Sequence, residues 1–243
     1  MKNNLYISYP YNHLNYKRYY PNYRPHLQRY SNPLNIQTKN INFENEYIIE
    51  RLRIPILKGI KDKNIQDNIN NSISSDILEF KNQMEVAAKE EYEKAKEEGR
   101  PFDPIIISNI YELTYNKNNI ISLSIVYHEY INGNDSYIRT TYNYNIKTGR
   151  SLSLNDLFKE GVDYISLINN VIRRYLLANP TRYFPETIEE FKGIAPDQPF
   201  FLENGYIGLF FGFHEVAPTE AKLPIIKIPL SEFRGYLKPY LLA

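Results

Sequence analysis

The sequence predicts an α+β fold: an antiparallel sheet meander with helices packed on one face, preceded by a disordered Tyr-rich arm. Three observations carry this. Ile65, Ile69, Ile73, Ile77, Phe80 and Met84 recur at spacings of three and four, which stacks them on one face of a helix. Residues 105–146 contain three strand-length runs separated by short Asn-rich turns. The helical and extended segments do not alternate regularly as βαβ units would, which separates α+β from a doubly wound fold.

Residues 1–40 form the arm. Tyr6, Tyr9, Tyr11, Tyr16, Tyr19, Tyr20, Tyr23 and Tyr30 are interleaved with Pro10, Pro21, Pro25 and Pro33, and no acidic residue precedes Glu44. Few aliphatic side chains are present to offset the entropy of ordering, and the prolines interrupt both helix and sheet ladders. A single domain is expected over residues 41–243. Its first strand runs through Tyr47, Ile49, Leu52 and Ile54 and ends near Pro55. The helix that follows Gly59 turns strongly charged from Glu85 to Glu98 and stops at Gly99 and Pro101.

Strands are expected at Ile105–Tyr115, Ile120–Ile131 and Ser136–Ile146, joined by Asn116–Asn119 and by Asn132-Gly133-Asn134-Asp135. In the middle strand, Ile121, Leu123, Ile125 and Tyr127 share one face, and Ser122, Ser124, Val126, His128 and Tyr130 the other, which is expected to be wet. Ser153 and Asp156 make a capping box, and a second long helix covers about Val162 to Ala178 until Asn179-Pro180 ends it. Beyond it the expected elements are a short helical stretch near Glu186–Phe191, a hairpin across Glu203-Asn204-Gly205, a strand at Leu223–Ile228 and a terminal helix from Ser231.

The 243 residues carry a formal net charge of +1, so no global field draws the chain to nucleic acid or to an anionic membrane. Cysteine is absent, which removes disulfides, thiolate nucleophiles and Cys-bound zinc. Asn3, Asn4, Ser8 and Pro10 interrupt the start too early for a signal peptide, and no run reaches the ~18 apolar residues of a membrane span. Synthesis in the cytoplasm is expected, with deposition in spore layers or the cell envelope as the destination.

Phosphate-loop, dinucleotide, serine-hydrolase and zincin signatures are all missing. The four histidines, His13, His26, His128 and His214, are not spaced to bind a metal from one helix face, so neither metal nor cofactor is expected. His128-Glu129 and His214-Glu215 are neighbours on strands, where adjacent side chains point to opposite faces, so they do not form dyads. No catalytic residue is assigned.

Three segments occur in the order of a known family. Pro199-Phe200-Phe201-Leu202-Glu203-Asn204-Gly205-Tyr206-Ile207-Gly208-Leu209-Phe210-Phe211-Gly212-Phe213-His214-Glu215-Val216-Ala217-Pro218 resembles the aromatic hairpin and Tyr-Glu-Ile-Ala-Pro hallmark of the PdaC/RsiV-like domain family. Lys147-Thr148-Gly149-Arg150-Ser151-Leu152-Ser153-Leu154-Asn155-Asp156-Leu157-Phe158 is similar to its turn and Leu-x-Asp-Leu-Phe. Arg53-Ile54-Pro55 through Ile69-Asn70 is the third segment. His214 stands where the family usually has tyrosine, and Ala221-Lys222 where a glycine is common.

The resemblance implies a non-catalytic module like those beside peptidoglycan deacetylases and in the outer part of a lysozyme-sensing anti-sigma factor. The appended deacetylase chemistry, an Asp with a His-x-x-x-His pair on metal, is missing. The expected function is therefore a cell-envelope or spore-associated binding or structural protein that contacts peptidoglycan or a wall-active protein such as lysozyme. Strand alternation points to His128, Tyr130, Arg139, Asn143, His214 and Glu215 as its ligand-binding residues, ring and guanidinium faces stacking and polar groups hydrogen-bonding sugar hydroxyls. Two other readings stay open: a glycan-modifying enzyme with an unrecognised carboxylate pair, and a coat-assembly protein acting through the Tyr-rich arm. The oligomeric state is left open.

Overall fold

The computed structural model describes residues 34–179, 191–211 and 225–241, and the backbone of Ser8–Tyr9. Among the described residues, ten strands and two α-helices follow in chain order. They are β1 (Ser8–Tyr9), β2 (Asn35–Glu44), β3 (Ile48–Lys58), α1 (Lys63–Glu97), β4 (Ile105–Lys117), β5 (Ile120–Ile131), β6 (Asn134–Asn145), β7 (Arg150–Ser151), α2 (Tyr164–Ala178), β8 (Phe200–Glu203), β9 (Tyr206–Phe210) and β10 (Ile225–Pro229). The fold is α+β. One sheet has the order β1-β6-β5-β4-β3-β2 with β7 on β6, and a second has the order β10-β9-β8. Contacts cluster into two compact units, residues 1–111 with 126–138 and residues 112–125 with 139–243, and β4, β5 and β6 run through both.

In the first unit the helical period survives intact. Asp62 caps α1 by accepting from the amides of Asn64 (2.8 Å) and Ile65 (3.2 Å). Ile69, Ile73, Ile77, Met84 and Ala88 are buried along one stripe, facing Ile48, Leu52 and Ile54 of β3. Gly99, at φ 65°, ends the helix in a left-handed turn that lets the Arg100 amide reach the Ala95 carbonyl (3.0 Å).

Two expectations change here. β2 begins at Asn35, so the last residues assigned to the arm, Asn35–Asn40, are strand, antiparallel to β3 from Lys58 back to Arg53. Residues 1–33, apart from the Ser8–Tyr9 backbone, lie outside the described residues. The first strand also continues past Pro55 to Lys58, and it runs parallel to β4 over Ile48–Arg51. A parallel neighbour requires a crossover, and α1 is that crossover.

Pro55 is tolerated because of which way its missing N–H would point. Asn109 holds the backbone N–H (2.6 Å) and carbonyl (3.0 Å) of Arg53, and Asn70 those of Leu57 (2.8 and 3.0 Å). Odd-numbered residues of β3 therefore aim their amides away from β2, and Pro55 removes no bond from that ladder.

β4, β5 and β6 form the expected meander. Asn118 (φ 54°) and Asn119 (φ 62°) make one two-residue turn, and Asn132 (φ 50°) with Gly133 (φ 81°) the other. In the second unit, Leu154, Leu157, Phe158, Ile168, Ile172, Phe200, Leu202, Ile207, Leu209 and Phe233 share one core. α2 starts at the Asp163 cap and stops before Asn179-Pro180, as the sequence predicts. The β8–β9 hairpin turns at Gly205 (φ 81°). The terminal helix is replaced by two 3-10 turns, Leu230–Phe233 and Pro239–Leu241. Gly235 and Pro239 leave too short a stretch between them for an α-helix to propagate. Most of the helical stretch expected near Glu186–Phe191 lies outside the described residues.

Candidate functional site

The face of β5 expected to be wet is buried. Ser122 (0% exposed), Ser124 (3%) and His128 (7%) are covered, and only Val126, Tyr130 and Ile131 of this strand are partly open. In the second unit the covering element is β8: the Leu202 amide donates to Ser122 Oγ (3.0 Å), and Arg139 donates to Ser124 Oγ (2.6 Å) while lying 6.0 Å over the Phe201 ring. Asn143, also buried, donates from Nδ2 to the Phe200 carbonyl (2.9 Å), which Thr141 Oγ1 reaches as well (2.7 Å). Arg139 and Asn143 are thus brought together, but as anchors of the aromatic hairpin. β8 is the strand that periodicity on β5 could not reveal, because alternating Ser and His look the same facing water or a second strand.

In the first unit, His128 Nε2 is bonded to Asp135, its Nδ1 lies 3.3 Å from Ser108 Oγ, and its ring stacks on Tyr137 at 4.8 Å. Its sequence neighbour Glu129 points to the opposite side, as alternation requires. Asp135 was missed by looking only at adjacent residues. The two-residue turn between Ile131 and Asn134 sets His128 across from Tyr137 and diagonal to Asp135, so hairpin register contained the signal. Tyr130 is partly exposed in this unit. His214 and Glu215 lie outside the described residues, as does any contact between His128 and His214.

Glu129 is 2% exposed, and burial pushes its carboxyl above the usual range, with the Ser136 side chain offsetting part of the rise. The folded state then holds a proton that the unfolded chain releases. This contribution to stability is complete below about pH 4.5 and is lost as pH rises through the folded value. Glu129→Gln has no proton to lose. Its stability relative to wild type is expected to improve as pH rises above about 4.5 and to level off once the folded carboxyl ionises, measured by urea unfolding across that range.

The Leu-x-Asp-Leu-Phe segment is likewise explained by packing. Against the upward push of burial, the Ser153 amide and hydroxyl (both 2.9 Å) and the Arg150 guanidinium (2.6 Å) hold Asp156 below the usual carboxylate range. Leu154, Leu157 and Phe158 enter the core, and Tyr240 donates to the Asp156 carbonyl (2.6 Å). Among the described residues no group of three or more His, Asp or Glu could hold a metal ion.

One aromatic residue departs from this pattern. Phe200, Phe201, Leu202, Ile207, Leu209 and Phe210 of the hairpin are buried, but Tyr206 at its tip is 42% exposed. Its strand is held on both sides, by Glu203 of β8 and Pro229 of β10. An ion pair from Lys227 to Glu203 (2.6 Å) and a bond from the Leu230 amide to the Gly205 carbonyl (2.8 Å) fix the turn.

Two family models match along the chain: "Deacetylase PdaC" over residues 41–136 and "Protein of unknown function (DUF3298)" over residues 155–231. The chain carries a PdaC domain followed by a DUF3298 domain, which is consistent with the PdaC/RsiV-like domain family. Solved structures agree at the level of fold. A DUF3298 family member from Bacteroides fragilis NCTC 9343 superposes with a TM-score of 0.66 at 16% identity, covering 87% of this chain and 96% of its own. A DUF3298 family protein from Pseudomonas aeruginosa PAO1 gives a TM-score of 0.56 at 18% identity, covering 86% and 95%. No curated protein matches the chain in sequence. The hairpin with Tyr206 at its tip lies in the DUF3298 match, and the end of β2, β3–β5 and α1 lie in the PdaC match. No described helix is long and apolar enough to cross a membrane.

Proposed function

We propose that the chain is a non-catalytic cell-envelope or spore-associated binding protein, and that its DUF3298 region contacts peptidoglycan through the rigid, exposed Tyr206. The observation carrying this reading is a single open aromatic ring on a hairpin whose other large side chains are all buried. A tyrosine held in this way loses little conformational freedom on binding. It can stack its face on a sugar ring while its hydroxyl reaches solvent or a hydroxyl partner. The PdaC and DUF3298 domains, consistent with the PdaC/RsiV-like family, support a wall-related ligand, with a wall-active protein such as lysozyme as the second candidate. His128, Arg139 and Asn143 take a supporting role, because all three are covered and the hydrogen bonds named above lie inside their own units.

Co-sedimentation with insoluble peptidoglycan sacculi at moderate salt tests this. Saturable pelleting of wild type is expected, and Tyr206→Ala should weaken it about tenfold, the loss of one well-placed aromatic contact. Unchanged urea unfolding of the variant would show that the fold is intact. If wild type fails to pellet but co-elutes with lysozyme, the ligand is the protein; if Tyr206→Ala pellets like wild type, the contact lies elsewhere. Release of acetate or reducing ends from the sacculi would replace the binding reading with the enzymatic one.

A further inference from the structure

Among the described residues β2 ends its sheet, and only one of its two edges is paired with another described strand. The direction of each amide follows from β3. Ile105 N–H bonds to the Tyr47 carbonyl (3.0 Å), and Asn109 and Asn70 hold the backbones of Arg53 and Leu57, so odd-numbered residues of β3 face away from β2. Even-numbered ones face it, in the register Lys39 with Ile54, Ile41 with Leu52 and Phe43 with Glu50. The odd-numbered residues of β2 are therefore occupied. Ile36, Thr38, Asn40, Asn42 and Glu44 aim their N–H and carbonyl groups at the open edge, where no described residue pairs with them.

We infer that this edge accepts the β2 strand of a second copy of this chain, antiparallel, with the two-fold axis at Ile41. A perpendicular two-fold keeps each residue on its own face, so paired residues must have the same parity, which limits the registers. Centring on Lys39 sets two ammonium groups opposite each other, and centring on Asn40 leaves them diagonal. Centring on Ile41 pairs Ile41 with itself and sets Lys39 against Phe43 of the other copy, a ring that is 44% exposed in the monomer. The outward groups from Thr38 to Glu44 then match, Thr38 with Glu44 and Asn40 with Asn42, twice each, and Ile36 extends beyond the paired stretch. One strand pair buries less than the ~1,200 Å² of a stable interface, so the association is weak and concentration-dependent.

The absence of cysteine makes the register directly testable. In this pairing Ile41 faces its counterpart in a non-hydrogen-bonded pair, the site at which cross-strand side chains approach closely enough for a disulfide. Ile41→Cys in the full chain is expected to oxidise to a covalent dimer. Thr38→Cys, displaced from its counterpart by about 20 Å along the strand, should not. Sedimentation velocity from roughly 10 to 300 μM should show wild type moving from monomer to dimer. Asn40→Pro, which removes an outward N–H but no bond to β3, should weaken dimerisation at least tenfold with an unchanged far-UV spectrum. A wild type that stays monomeric, a dimer indifferent to Asn40→Pro, or Thr38→Cys crosslinking as readily as Ile41→Cys each overturns the proposal. Should Asn40→Pro misfold, the cysteine pair alone decides.

Discussion

Gly208→Ala is expected to destabilise the protein by about 3 kcal/mol, at the upper end of the cost of overpacking a core. Gly208 sits opposite Phe201 in the β8–β9 pair, and a Cβ built there would meet three Phe201 ring atoms at 2.2, 2.4 and 2.7 Å. The ring cannot simply swing away, since it is 4% exposed and Arg139 lies over it, with its guanidinium bonded to Ser124. The strain therefore reaches the backbone or ejects a phenyl ring from the core. Chemical unfolding measures the loss as a shift in midpoint. Pairing Gly208→Ala with Phe201→Leu removes the clashing atoms, and the double variant should be more stable than the sum of the single changes. An unchanged midpoint for Gly208→Ala would show that the ring does not lie on the glycine.

Lys81→Met is expected to cost nearly as much, and its cost should depend on pH. Glu50 of β3 is 0% exposed, neither carboxylate oxygen accepts a hydrogen bond, and the Lys81 ammonium on α1, 3.2 Å away, is its ion-pair partner. Burial, opposed by Lys81, pushes the Glu50 carboxyl above its usual range. Lys81 is itself held above its ordinary value, against the downward pull of burial, by Glu85 and Glu50. Removing the ammonium leaves Glu50 either charged in an apolar site or forced to take up a proton. Protonating a carboxyl of reference pKa 4.5 at pH 7 costs about 3 kcal/mol, which caps the damage.

The sign follows from the same linkage. Below about pH 4.5 the carboxyl is neutral in folded and unfolded chains alike, so the gap between Lys81→Met and wild type closes there and widens as pH rises. Urea unfolding at pH 4.5 and 7 measures both ends. Glu50→Leu should recover most of the loss when combined with Lys81→Met. A gap that is constant with pH would mean that Lys81 contributes packing and not charge.

Periodicity read well wherever one element faces one core. The stripe from Ile69 to Met84, the three strands of the meander and the Glu203-Asn204-Gly205 hairpin depend on local spacing and turn chemistry, so their positions came through nearly unchanged. The parallel β3–β4 pair, the passage of β3 through Pro55 and the extension of β2 back to Asn35 did not, because each depends on a neighbour distant in sequence. The candidate site shows the same division. Alternation put His128, Arg139 and Asn143 on exposed faces, and strand β8 or a diagonal Asp135 covered them. Tyr206 was legible as part of the aromatic hairpin but not as its one open ring.

By itself the sequence determined the α+β class, the helix faces, the tight turns and the family resemblance, since these follow from spacing, from residues that accept positive φ and from motifs read in order. The tertiary structure alone decided which polar residues are buried, which way the amides of β3 point, and hence that β2 keeps an edge with which no described residue pairs. Those properties arise where segments far apart in the chain meet, and a hydrogen-bonding group looks the same in sequence whether its partner is water, a strand or a second molecule.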